Sequence, residues 1–132
     1  MKIVIDSNVF ISGIFWKGKP ELVINGWVEA RYELLVSKPI IDEYTRSLYH
    51  ISAGRRNDLV ERWLFQILEF STCIGITQHF EICRDKTDNK WLDCAASGGA
   101  DYIVSGDKDL LSLRAIFNIS IVKPSDFLKQ LQ

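Results

Sequence analysis

The sequence predicts an α/β protein built around a mostly parallel sheet of four or five strands. Short apolar runs of strand length alternate with segments of helical period. The short runs are almost continuously apolar instead of alternating, as suits strands covered on both faces. The chain has 132 residues. That is one domain's worth, so residues 1–132 are expected to share a single core.

The elements follow in order. Ile3-Val4-Ile5 reads as a buried strand. Pro20 to Glu29 places Leu22, Val23, Trp27 and Val28 on a helical stripe. Leu34-Leu35-Val36 is a second strand, and Pro39 to Tyr49 a helix carrying Ile40, Ile41, Tyr44 and Leu48. Pro39 suits a first helical turn, where its missing N–H would be unbonded anyway. Asn57 to Glu69 shows a strong amphipathic pattern in Leu59, Val60, Trp63, Leu64, Ile67 and Leu68. Cys73-Ile74-Gly75-Ile76 is a weaker strand, and His79 to Thr87 a polar loop. Asp88 to Ser97 is a helix with Leu92, Ala95 and Ala96 inward, stopped by Gly98-Gly99. Tyr102-Ile103-Val104 and the run around Ile119, Ile121 and Val122 complete the strands, and Ser125 to Leu131 forms a terminal helix.

Composition narrows the function classes. Hydrophobic residues at 47% and charged residues at 25% exclude a disordered, collagenous or coiled-coil chain. No apolar run nears the roughly 18–20 residues that span a bilayer, so no membrane role is expected. The N-terminus reaches an acid at Asp6, too early for a secretory signal, and a cytoplasmic location is expected. Cys73, Cys83 and Cys94 lack CxxC spacing, which argues against a disulfide framework or zinc site. They are expected to be buried thiols acting as small hydrophobes. The net charge of −1, from 16 basic and 17 acidic residues, gives no bulk attraction to nucleic acid. A local patch would suffice, and Lys17, Lys19, Arg46, Arg55, Arg56, Lys86, Lys90 and Lys108 are its candidates. Trp27 and Trp63 fall on core stripes, whereas Phe15-Trp16 precedes the Lys17-Gly18-Lys19 loop and reads as exposed. It could stack a base, though a subunit interface is the stronger expectation.

The acids carry the chemistry. Ligands of open parallel sheets bind beyond the carboxyl ends of the strands. Asp6 follows the first strand directly, with Ser7 and Asn8 next. Asp107 follows Tyr102-Ile103-Val104 after Ser105-Gly106. Glu43 lies in the helix after the second strand and Asp93 in the helix before the Tyr102 strand. Glu43 sits three residues from Ile40, near the buried stripe, whereas Asp42 can pair with Arg46 four residues on along a solvated face. Asp93 borders the apolar face, and Asn89, four residues earlier, could support it. Asp88 reads equally as a helix N-cap or a metal ligand. Clustered carboxylates repel, and a hard cation such as Mg²⁺ or Mn²⁺ relieves the repulsion. Such a cluster can activate water and stabilise a phosphodiester in transfer, which is the chemistry of a metal-dependent nuclease. His50 and His79 are candidate bases by residue type only.

Asp6-Ser7-Asn8, Glu43, Asp93 within Asn89-Lys90-Trp91-Leu92-Asp93, and Ser105-Gly106-Asp107 appear in an order that resembles the PIN-domain family. The stretch Asp88 to Leu110 is most similar to the toxin components of prokaryotic toxin–antitoxin systems, the VapC-like ribonucleases. The resemblance implies a three-layer α/β/α sandwich and Mg²⁺- or Mn²⁺-dependent cleavage of RNA. It implies Asp6, Glu43, Asp93 and Asp107 as the metal-binding acids, with Asn8 and Ser105 as polar residues beside them. It also implies an antitoxin partner and a homodimer. Ser7 and Ser105 stand where many relatives carry threonine, and Asp93 where they often carry glutamate.

Two other readings compete. A receiver-like phosphoacceptor domain also gathers acids at strand ends around Mg²⁺. It needs paired acids after the first strand and a late lysine, for which only Lys123 is available. A non-catalytic module binding metal or RNA would show binding without turnover.

Overall fold

The computed structural model describes all 132 residues. In chain order it contains β1 (Lys2–Ile5), α1 (Ser7–Phe15), α2 (Lys19–Val28), β2 (Glu33–Val36), α3 (Lys38–Ser52), α4 (Asn57–Phe70) and β3 (Thr72–Cys73). A 3-10 turn at Lys86–Asp88 leads into α5 (Asn89–Gly98). β4 (Tyr102–Val104), α6 (Lys108–Leu113), β5 (Ala115–Ile116), β6 (Ile119–Val122) and α7 (Pro124–Gln130) complete the chain.

The sheet has six strands in the order β3-β2-β1-β4-β6-β5. All neighbours pair in parallel except the β5–β6 hairpin. The chain runs outward from β1 through β2 to β3, then returns to the opposite side of β1 as β4. This reversal opens a crevice beyond the carboxyl ends of β1 and β4, where Ile5 pairs with Val104. Helices cover both faces: α5 packs across β1, β2 and β4, and α7 packs on β4 and α2. The result is the three-layer α/β/α sandwich. Every residue of Ile3–Ile5, Leu34–Val36 and Ile103–Val104 is buried, which explains their continuously apolar sequence.

Three elements lie outside the sequence reading. The helix α1 shows no stripe because it is buried on several sides, through Val9, Phe10, Ile11 and Gly13. Its rank of β-branched residues is held by packing instead of propensity. Phe10 stacks on Tyr44 at 4.2 Å between ring centroids and meets Trp27 and Trp63 at 5.9 and 6.4 Å. A Cβ at Gly13 would lie 2.4 Å from Ile24 Cγ1 and 2.6 Å from the Pro20 carbonyl oxygen, so glycine permits the close approach of α1 and α2. With six residues, α6 is too short to display a period. The two-residue β5 pairs antiparallel with β6 and makes the sheet six-stranded instead of the four or five expected. β3 is shorter than expected, and residues 74–83 beyond it have no regular structure. Of the cysteines, Cys94 is buried as expected and Cys83 partly so, but Cys73 is exposed on the edge strand.

Candidate active site

Asp6 is 4% exposed and caps α1, where its Oδ1 accepts from the Val9 N–H at 3.0 Å. Asp107 caps α6 in the same manner, with Oδ2 accepting from the Leu110 N–H at 3.0 Å. Each strand end thus hands its acid to the start of the next helix. Between them stands Ser105, fully buried. Its hydroxyl donates to Asp6 Oδ2 and its oxygen accepts from the Asp107 N–H at 3.0 Å, so one side chain sets the spacing of both acids. Glu43 enters from the second turn of α3. Its two carboxylate oxygens accept from the Ser7 hydroxyl and from the Lys90 ammonium. Below it, Tyr44 donates its hydroxyl to the Ile5 carbonyl and fixes α3 against the end of β1.

Asp6, Glu43 and Asp107 line a single cleft of about 200 Å³ at the crevice between β1 and β4. Asp88, from the start of α5, and Asp85, from the preceding loop, line it too, together with Ser7, Asn8 and Trp91. Burial is the main force that lifts the Asp6 carboxyl from 3.8 to about 6, with the Asp107 charge adding to it. Hydrogen bonds from Ser105 and the backbone of Val9 and Gly106 oppose the rise. The Asp88 carboxyl is also raised, first by burial and then by the charges of Asp107 and Asp85. The Asp85 carboxyl is lowered by its two hydrogen bonds to Thr87.

Asp93 does not reach this cleft. It lies one turn into α5, where its Oδ1 accepts from the Phe80 N–H at 2.7 Å and its Oδ2 lies 3.4 Å from His79 Nδ1. Asn89 does not support Asp93 either, since its Oδ1 accepts from the Cys83 N–H at 3.0 Å. Both side chains pin the loop that precedes α5. Asp88 takes the place expected of Asp93, and it does so at the N-cap position without making a side-chain capping bond. The helical period carried this signal: Asp88 and Asp93 are five residues apart and cannot share a face. From sequence, Lys90 reads only as a candidate cation of a phosphate-binding patch and Asp85 only as part of the polar loop from His79 to Thr87. Asp42 is exposed, in keeping with its solvated reading, but it forms no ion pair with Arg46.

No three of these side chains stand close enough together to form a ready ligand set. Their oxygens are taken up by Ser7, Ser105 and Lys90. The donors nevertheless suit a hard divalent cation. The cleft offers carboxylate, hydroxyl and amide oxygens with no histidine or cysteine, and burial, the main cause of the raised Asp6 and Asp88 carboxyls, is a cost to their charged forms that a bound cation would offset.

Fold and site together define a doubly wound α/β protein with an acidic cleft at its topological switch point. The profile of the PIN domain matches residues 2–109, and the chain belongs to the PIN-domain family, whose members are in general nucleases dependent on divalent metal. It is similar to the uncharacterized protein MJ1680 of Methanocaldococcus jannaschii, at 34% identity over 120 residues, covering 86% of this chain and 76% of that one. Among solved structures, PAE2754 from Pyrobaculum aerophilum superposes with a TM-score of 0.63 at 17% identity, over 99% of this chain and 89% of its own. VapBC2 from Rickettsia felis, bound to a DNA fragment from their promoter, gives 0.60 at 12% identity, over 92% of this chain and 97% of the matched one. The PIN domain of human SMG5 gives 0.51 at 16% identity over the full length of both. At these identities the structural likenesses establish the fold.

Proposed function

We propose that this chain is a Mg²⁺- or Mn²⁺-dependent endoribonuclease and the toxin component of a toxin–antitoxin pair, formed as a single domain over residues 1–132. One observation carries the reading: Asp6, Glu43, Asp88 and Asp107, from four separate parts of the chain, line one cleft at the carboxyl ends of β1 and β4. Family membership supports nuclease chemistry. The likeness of Asp88 to Leu110 to toxin components, together with the fold neighbour VapBC2, supports an antitoxin partner. The absence of any helix long and apolar enough to cross a membrane is compatible with a cytoplasmic RNA substrate.

Asp6, Glu43, Asp88 and Asp107 would hold the metal. A bound divalent ion supplies an activated water and positive charge beside the phosphodiester. The protein's own part is to hold the acids apart at fixed positions. Ser105 ties Asp6 to the Asp107 backbone, and Ser7 orients Glu43. Lys90 balances Glu43, and loading the cleft with a cation would free its ammonium for a phosphate oxygen. Asn8 is exposed on the rim, where its amide can meet the substrate backbone.

The test is cleavage of fluorescent RNA and DNA oligonucleotides in Mg²⁺, Mn²⁺ or EDTA. Wild type should cut RNA and stop in EDTA. Asp6→Asn and Asp88→Asn should be inactive while folded, and Asp93→Asn should retain activity. Undiminished cleavage by Asp6→Asn would refute the assignment. A folded protein that binds metal but cuts nothing would favour the non-catalytic module, and labelling by acetyl phosphate would favour the phosphoacceptor.

A further inference from the structure

A second cavity, of about 600 Å³, opens between α1 and α3. Asn8 lines both this cavity and the acidic cleft, so the two adjoin at that side chain. Beyond Asn8 the wall changes character. Trp16, at the end of α1, is 56% exposed, an unusual position for so large a ring. Arg46 and His50, one turn apart on α3, face the same space. Arg46 enters no ion pair, even with Asp42 one turn earlier, so its guanidinium is free to bind an anion. Only three of the eight lining residues are hydrophobic, which disfavours an apolar helix as the occupant.

We propose that this cavity is a subsite for one unpaired nucleotide flanking the phosphodiester held in the acidic cleft. The base stacks on Trp16, and its phosphate meets Arg46 with His50 as a second donor. The combination of an open aromatic face and an unpaired guanidinium is what recognition of single strands requires. Its size lies within the usual range for a small-ligand site, about 300–1,000 Å³. A base inside a duplex offers no free face to Trp16, so the subsite selects single-stranded RNA. This inference rests on the nuclease reading above.

The test is fluorescence anisotropy with a labelled 10-nucleotide oligouridine, in Ca²⁺ to occupy the cleft, with the probe checked for integrity by gel. Wild type should bind the single strand more tightly than a duplex of equal length. Trp16→Ala should weaken binding roughly 10-fold, and Trp16→Phe should recover much of it. Arg46→Gln should lower the salt slope by about one phosphate. These side chains are exposed, so the variants should melt as wild type does. If wild type binds and both variants bind equally well, the subsite is overturned and the nuclease reading stands. If Trp16→Ala instead dissociates a wild-type dimer, or releases a bound protein partner, without changing RNA affinity, the face is a protein interface and the proposal also falls. A wild type that neither binds nor cleaves RNA overturns both readings.

Discussion

Replacing Asp6 with asparagine should make the metal-free protein more stable at neutral pH. The Asp6 carboxyl is raised from 3.8 to about 6, chiefly by burial. At about 1.36 kcal/mol per pKa unit, its ionised form destabilises the folded state by about 3 kcal/mol. Asparagine keeps the shape and the acceptor for the Val9 N–H. It loses the Ser105 hydroxyl as donor, since its amide must now donate, at a cost of about 1 kcal/mol. The net gain is about 2 kcal/mol. With an unfolding entropy of about 2.1 cal/mol/K per residue, that raises Tm by about 7 °C. The sign depends on pH. Below about pH 4 both folded and unfolded carboxyls are protonated, the ionisation penalty vanishes, and only the altered Ser105 bond remains, so the variant should there be less stable than wild type by about 1 kcal/mol. Stability of the wild type relative to the variant falls as pH rises from about 4 to 6, and the difference is constant above. Thermal unfolding followed by circular dichroism in EDTA, at pH 3.5 and 7.5, reads both quantities. Adding Mn²⁺ should raise Tm of the wild type and leave the variant nearly unmoved. A variant less stable than wild type in EDTA at pH 7.5 would refute the reasoning, as would a gain of equal size at both pH values.

Gly13→Ala should destabilise by about 1–3 kcal/mol, because the added Cβ meets Ile24 and the Pro20 carbonyl; chemical denaturation measures it. Tyr44→Phe should cost about 1 kcal/mol by removing the hydrogen bond to the Ile5 carbonyl, with the same measurement. Asp93→Ala should speed hydrogen exchange at the Phe80 amide, whose bond it accepts. It should weaken Mn²⁺ binding only modestly, through the loop that carries Asp85 and Asp88, whereas Asp6→Asn should abolish it; calorimetry separates the two. A loss of binding by Asp93→Ala as complete as that of Asp6→Asn would return Asp93 to the ligand set.

Helices such as α3 and α4 were legible because one face meets the core and the other meets water, which writes a period into the chain. α1 was not, because packing on several sides erases that period and leaves an apolar run that propensity alone assigns to no element. The same distinction governs the site. Asp6 and Asp107 follow strands directly, and the rule that ligands gather at strand ends picks them out from sequence. Glu43 is placed by its phase relative to Ile40. The choice between Asp88 and Asp93 turned on where α5 begins and how the 79–88 loop folds against it. Those are decided by the Asn89 bond to Cys83 and the Asp93 bond to Phe80. The sequence by itself determined the class of fold, its parallel sheet and three of the five acids that line the cleft, Asp6, Glu43 and Asp107, because burial and strand ends act locally. The tertiary structure alone decided which acid of α5 joins them, the Ser105 bridge and the meeting of the cleft and the Trp16 groove at Asn8, because each depends on contacts between residues far apart in the chain.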